Sequence, residues 1–260
     1  MEKLYVIKIG GNIVDNPVLL TACLTAFSKL EGQAILVHGG GKLATQMATS
    51  MGVVQTMIEG RRITDAETLK IVTMVYAGNI NKNMVAQLQA LGVNAMGLTG
   101  VDGNLISAHK RTGTLIDYGF VGDVDGINET LITQLLNSNI KLVVAPITHD
   151  GNGQLLNTNA DTIAQSMATG MAKNFEVHLI YGFEREGVLS DLNDPSSVIA
   201  FIDRPAYGIL KDQKVIFEGM IPKIDNAYLA LEGGVQSVII GKAEKLNQLI
   251  NGNAGTTIKI

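Results

Sequence analysis

The chain has 260 residues, 46% hydrophobic and 17% charged, and 20 Lys+Arg against 24 Asp+Glu give a formal net charge of −4. This composition supports a core for one large or two-lobed domain and offers no broad basic field, so no nucleic-acid partner is expected. A single cysteine excludes an internal disulfide framework and a cysteine-rich zinc site. No apolar run reaches membrane-spanning length and residues 1–10 lack a signal-peptide pattern, so a cytoplasmic protein with no membrane partner is expected.

In chain order, β-branched apolar runs over residues 4–9, 33–38, 94–98, 141–147, 176–181 and 236–240 predict buried strands. Between them, residues 17–30, 42–51, 65–91, 129–137, 159–172, 222–231 and 243–250 carry helical spacing of apolar positions. Alternation of this kind predicts an α/β fold, a mostly parallel sheet covered on both faces. Residues 53–64 and 105–126 break the alternation and read as β-hairpins, and 184–194 reads as a loop. A soft lobe boundary falls near residue 172, giving lobes 1–172 and 173–260.

The first strand runs into Gly10-Gly11-Asn12 and the second into Gly39-Gly40-Gly41-Lys42, each followed by a helical pattern. Consecutive free N–H groups ahead of a helix N-terminus suit an anion, and in a parallel sheet both loops sit at the carboxyl ends of strands, where open α/β folds bind ligands. Neither loop fits Gly-x-Gly-x-x-Gly or the Walker pattern, since Leu43 follows Gly41-Lys42. A dinucleotide dehydrogenase and a P-loop enzyme are therefore disfavoured.

Lys8 sits inside an apolar strand, where an ammonium group calls for a compensating anion. Lys223 follows Pro222, which starts a helix. Asn159 is a natural helix cap with Asp161 in the first turn; capping leaves Asn157 unexplained, and it should project from a preceding turn toward the same strand ends. Arg62 reads either as a surface hairpin residue or as a carboxylate fork. The four histidines show no metal-ligand spacing, and His38, abutting the glycine loop, reads as a hydrogen-bonding residue. Cys23 reads as core.

Together, Lys8-Ile9-Gly10-Gly11, His38-Gly39-Gly40-Gly41, Gly60-Arg61-Arg62-Ile63-Thr64-Asp65, Asn157-Thr158-Asn159-Ala160-Asp161 and Gly219-Met220-Ile221-Pro222-Lys223 resemble the amino acid kinase family, in order and over nearly the whole chain. Within that family it resembles the members that phosphorylate N-acetyl-L-glutamate. The resemblance implies a three-layer αβα sandwich of the carbamate kinase-like type, with an acylglutamate-binding N-lobe and a nucleotide-binding C-lobe. It implies ATP as phosphoryl donor, with Mg2+ held mainly by the nucleotide phosphates and no protein metal ligands. Lys8 and Lys223 would neutralise the transferring phosphoryl group, Gly11 and Gly40 would donate N–H bonds to it, and Asp161 would hold the lysines. Arg62 and Asn157 would bind the substrate α-carboxylate, with Gly40 and Gly41 lining its site. Gly10, Tyr181, Gly182, Phe183, Gly187, Phe217, Gly219 and Met220 would line the nucleotide.

A γ-carboxylate with a pKa of about 4.3 is already ionised at neutral pH, so no general base is required. Two departures stand out. The turn after residue 181 is longer than usual and lacks the family's aspartate, and Arg61 stands where leucine is common, which keeps N-succinyl-L-glutamate as the substrate alternative. The first strand begins almost at the N-terminus, leaving no room for the extra helix of arginine-inhibited hexameric relatives. A homodimer without arginine feedback, paired through residues 65–91, is the implied state. The competing class is a non-catalytic nucleotide-binding sensor, whose signature would be loss of a phosphate-facing charge.

Overall fold

The computed structural model describes residues 1–58, 61–191, 193–216 and 220–260. Its strands are β1 (Lys3–Ile9), β2 (Gln33–His38), β3 (Met57–Ile58), β4 (Arg61–Arg62), β5 (Ala95–Leu98), β6 (Ile106–Lys110), β7 (Val121–Ile127), β8 (Lys141–Val144), β9 (Ile147–His149), β10 (Leu155–Thr158), β11 (Glu176–Phe183), β12 (Phe201–Ile202), β13 (Ser237–Lys242) and β14 (Thr256–Ile258). Its helices are α1 (Gly11–Val14), α2 (Pro17–Ser28), α3 (Gly41–Ser50), α4 (Ala66–Thr73), α5 (Asn81–Ala90), α6 (Glu129–Asn137), α7 (Ala160–Met171), α8 (Arg204–Asp212), α9 (Ile221–Glu232) and α10 (Leu246–Ile250). A π-helical turn, Met74–Ile80, joins α4 to α5 in one long helix.

Eight strands form one sheet in the order β12-β14-β13-β11-β1-β2-β8-β5, parallel throughout except for the β13–β14 pair. Strand β1 is central and buried from Leu4 to Ile9, which is why its sequence is a continuous apolar run rather than an alternating one. Alternation survives in where its side chains go. Tyr5, Ile7 and Ile9 join the core under α2 and the long helix, while Leu4 and Val6 join the core under α6, α7 and α9. Two apolar cores on opposite faces of one sheet make the structure a three-layer αβα sandwich.

The run at 141–147 is two strands rather than one. Pro146 has no N–H to give to the ladder, so the main sheet takes β8 and the chain turns into β9. Strands β6, β7, β9 and β10 close into a small ring beside the sheet, and β3 with β4 forms the hairpin expected at 53–64. The run patterns do not anticipate β10, β12, β14 or α8. Strands of two to four residues carry too few positions to show a period.

Candidate functional site

A cleft of about 660 Å³ opens over the carboxyl ends of β1 and β11 and the N-termini of α1 and α3. Lys8, Gly10, Gly11, Gly41, Arg62, Gly182, Phe183, Met220 and Lys223 all line it. A second cavity of about 500 Å³ lies elsewhere, lined by Glu2, Glu129, Thr130, Thr133, Gln134, Asn137, Asn174 and Phe175; it has neither a cation nor a glycine loop.

Period-two alternation along β1 sends Lys8 to the face covered by α7 and α9, and both helices begin at the cleft. Asn159 caps α7 by accepting the N–H groups of Asp161 at 2.8 Å and Thr162 at 3.2 Å, which fixes Asp161 in the first turn. Lys223 occupies the first turn of α9. The Asp161 carboxylate stands between the two cations, with Oδ1 at 2.8 Å from Lys8 Nζ and Oδ2 at 3.2 Å from Lys223 Nζ. Burial alone would raise the Asp161 pKa, yet the adjacent Lys8 and Lys223 charges prevail and hold it below the usual carboxylate range. One buried negative charge between two positive ones leaves the group with a net charge of +1 beside the cleft.

The glycine loops supply donors. Gly11 and Gly41 are the first residues of α1 and α3, so their N–H groups have no acceptor within the helix. Gly40 precedes α3 as its cap; a Cβ there would run into Ile80 Cδ1 and press on the Tyr76 ring at 3.2 Å. Beside this loop, Arg62 is buried with 8% of its surface exposed. Its guanidinium donates to Gly41 O at 2.8 Å, Thr45 Oγ1 at 2.9 Å and Gln55 Oε1, all neutral acceptors. Among the described residues no carboxylate pairs with it, so its charge is available to an anion in the cleft.

Asn157 lies in β10 rather than in a turn, and its Nδ2 donates to Thr64 Oγ1 at 3.0 Å. The turn expectation fails because Leu155-Leu156-Asn157 pair with the neighbouring β9 and Asn157-Thr158 with β7, a partner distant in sequence. Of the residues expected at the nucleotide, Tyr181 lies beneath the cleft rather than on its wall: it is buried, and its hydroxyl approaches Asp161 O at 3.4 Å. Gly187 is also buried, where a Cβ would strike Val198 and Thr256. Its glycine is thus explained by close packing on β14. Phe217 and Gly219 lie outside the described residues.

Sequence reading misses several contacts here. Asn12 Nδ2 donates to Glu184 Oε1 at 2.9 Å, tying the first glycine loop to the end of β11. Lys42 is exposed and lines the cleft, whereas Arg61 is exposed and is not among the residues lining it. Asn81, at the start of α5, reaches His38 and Val143 O. Only spatial proximity reveals these contacts, and no local spacing reports them.

The chain belongs to the amino acid kinase family, whose profile matches residues 3–242. Over its full length it is 53% identical to an acetylglutamate kinase of Cytophaga hutchinsonii, 99% of which is covered. It is 54% identical to an acetylglutamate kinase of Parabacteroides distasonis, across 95% of this chain and 97% of that one. Among solved structures, Giardia carbamate kinase shares the fold, with a TM-score of 0.69 at 14% identity over 99% of this chain and 98% of that chain.

Proposed function

We propose that the protein transfers the γ-phosphoryl group of ATP to the γ-carboxylate of N-acetyl-L-glutamate, forming an acyl phosphate and ADP in arginine biosynthesis. The observation that carries this reading is the Lys8–Asp161–Lys223 group beside a cleft lined by two glycine loops. A carboxylate oxygen attacks the γ-phosphorus and the bond to the β–γ bridging oxygen breaks; no proton moves. Catalysis then consists of holding two anions in line and stabilising the charge between them. Lys8 and Lys223 provide the cations, Gly11 and Gly40 the backbone donors, and Asp161 keeps the ammonium groups apart and aimed. Arg62 and Asn157 take the α-carboxylate next to Gly40 and Gly41. Gly10, Gly182, Phe183 and Met220 lie toward the nucleotide, which brings Mg2+ on its phosphates.

In this reading residues 1–172 bind the acylglutamate and 173–260 the nucleotide. The long helix, with Met74 exposed at its π turn and Leu91 and Met96 exposed beyond its end, supports a homodimer paired through it. Among the described residues no helix is long and apolar enough to cross a membrane; we place the protein in the cytoplasm. Lys42 favours one variant of the reading, in which the acyl group ends in a carboxylate, as in N-succinyl-L-glutamate. ATP-dependent acyl phosphate, trapped with hydroxylamine, separates the cases when N-acetyl-L-glutamate, N-succinyl-L-glutamate and glutamate are compared. N-acetyl-L-glutamate is the expected substrate. Turnover of the succinyl compound alone moves the assignment to that substrate, and silence with all three overturns the reading.

A further inference from the structure

His38 is the last residue of β2 and fully buried. Alternation along β2 points it to the face covered by the long helix, with Ala34 and Leu36. Its Nδ1 lies 2.8 Å from Gly39 O and its Nε2 lies 3.3 Å from Asn81 Nδ2. A carbonyl oxygen only accepts, so the ring proton is on Nδ1 and Nε2 is the acceptor. The Asn81 amide has its orientation fixed independently. Its Nδ2 donates to Val143 O at 2.9 Å, and its Oδ1 accepts from Lys82 Nζ at 3.2 Å. Rotating the amide by half a turn would set an NH2 against an ammonium group and an oxygen against a carbonyl. The chain Lys82 to Asn81 to His38 to Gly39 therefore runs in one direction and satisfies both amide hydrogens.

The last bond of that chain acts on the glycine loop. In a trans peptide the C=O and the following N–H point in opposite directions. Pinning Gly39 O toward His38 thus turns the Gly40 N–H away from it. Gly40 is buried, and among the described residues its N–H has no hydrogen-bond partner. A buried amide hydrogen left unpaired is costly unless a ligand takes it.

We propose that His38 and Asn81 are positioning residues for phosphoryl transfer, holding the Gly39–Gly40 peptide so that the Gly40 N–H faces the transferring group. This rests on the role given to Gly40 in the proposed function. Burial lowers the His38 pKa to about 4, which keeps the ring neutral and the relay intact at neutral pH.

Two measurements test it. In isotope-labelled histidine NMR spectra of the wild-type protein, His38 should show the Nδ1–H tautomer; the Nε2–H tautomer would overturn the proposal, whatever the variants do. In kinetics, the side-chain nitrogen of His38→Asn falls near Nδ1 and can still donate to Gly39 O, whereas the amide of His38→Gln falls near Nε2. We expect kcat within about 3-fold of wild type for His38→Asn and a fall of about 100-fold for His38→Gln, with KM for ATP and melting temperature alike in the two. Equal kcat in the two variants, high or low, sinks the positioning role while leaving the kinase reading standing. A wild-type enzyme silent on every N-acylglutamate removes the kinase reading and this inference with it.

Discussion

Asp161 faces two ammonium groups at 2.8 and 3.2 Å, and the consequence is a division between charge and proton chemistry. With its pKa held low by Lys8 and Lys223, the carboxyl has no proton to exchange near neutral pH. Asp161→Asn keeps the shape and removes the charge. We expect kcat to fall about 100-fold through misplaced lysines, with no limb lost from the pH–rate profile; loss of a limb would make Asp161 a base. His38 gives a second pH-dependent outcome. Its folded pKa of about 4 lies below the unfolded value of about 6.5, so the unfolded chain binds more protons between those values and stability falls as pH drops through that window. The contribution amounts to about 3 kcal/mol at most, and urea unfolding of His38→Asn should show a correspondingly shallower pH slope. Lys8 is legible in the sequence because a lysine in a buried strand contradicts its surroundings. Asn81 is not, because an asparagine at a helical position contradicts nothing until Val143 and His38 are seen beside it.

Helix α7 shows how an element carries a residue into place. Its Asn159 cap takes two N–H groups, and Asp161 sits in the turn so fixed. Asn159→Ala should cost about 1 kcal/mol, lowering the melting temperature by about 2–4 °C, and should also cut activity because the first turn frays. A lower melting temperature with unchanged kcat would separate the cap from the site. Elements with long apolar periods were readable: β1, β2, α2, α6 and α7 fall within a residue or two of their expected ranges. The strand that carries Asn157 was not, since β10 owes its form to β7 and β9 rather than to its own four residues. The same holds for β14, whose Thr256 packs beneath Gly187.

At the scale of the whole molecule, β1 pairs on one side with β2 and on the other with β11, so the two glycine loops and the turn after β11 spring from three adjacent strands. That adjacency is what gathers groups as far apart in sequence as Lys8 and Lys223. The long helix packs behind the second glycine loop and carries exposed Met74 at its π turn. If it pairs with a second copy, mass photometry should give a dimer; a monomer or a hexamer would refute the pairing. The π turn itself has a further consequence. A π-helix holds one residue more per turn than the bond pattern of an α-helix allows, and here it precedes Asn81 directly. A π-helix turns through fewer degrees per residue than an α-helix, so the 7 residues of Met74–Ile80 turn about as far as six α-helical ones, and removing one would leave a more regular helix with α4 and α5 facing nearly as before. What would change is the spacing inside the turn itself, where Tyr76 and Ile80 back Gly40. The least regular turn is thus where the helix takes up an extra residue without turning Asn81 away from His38.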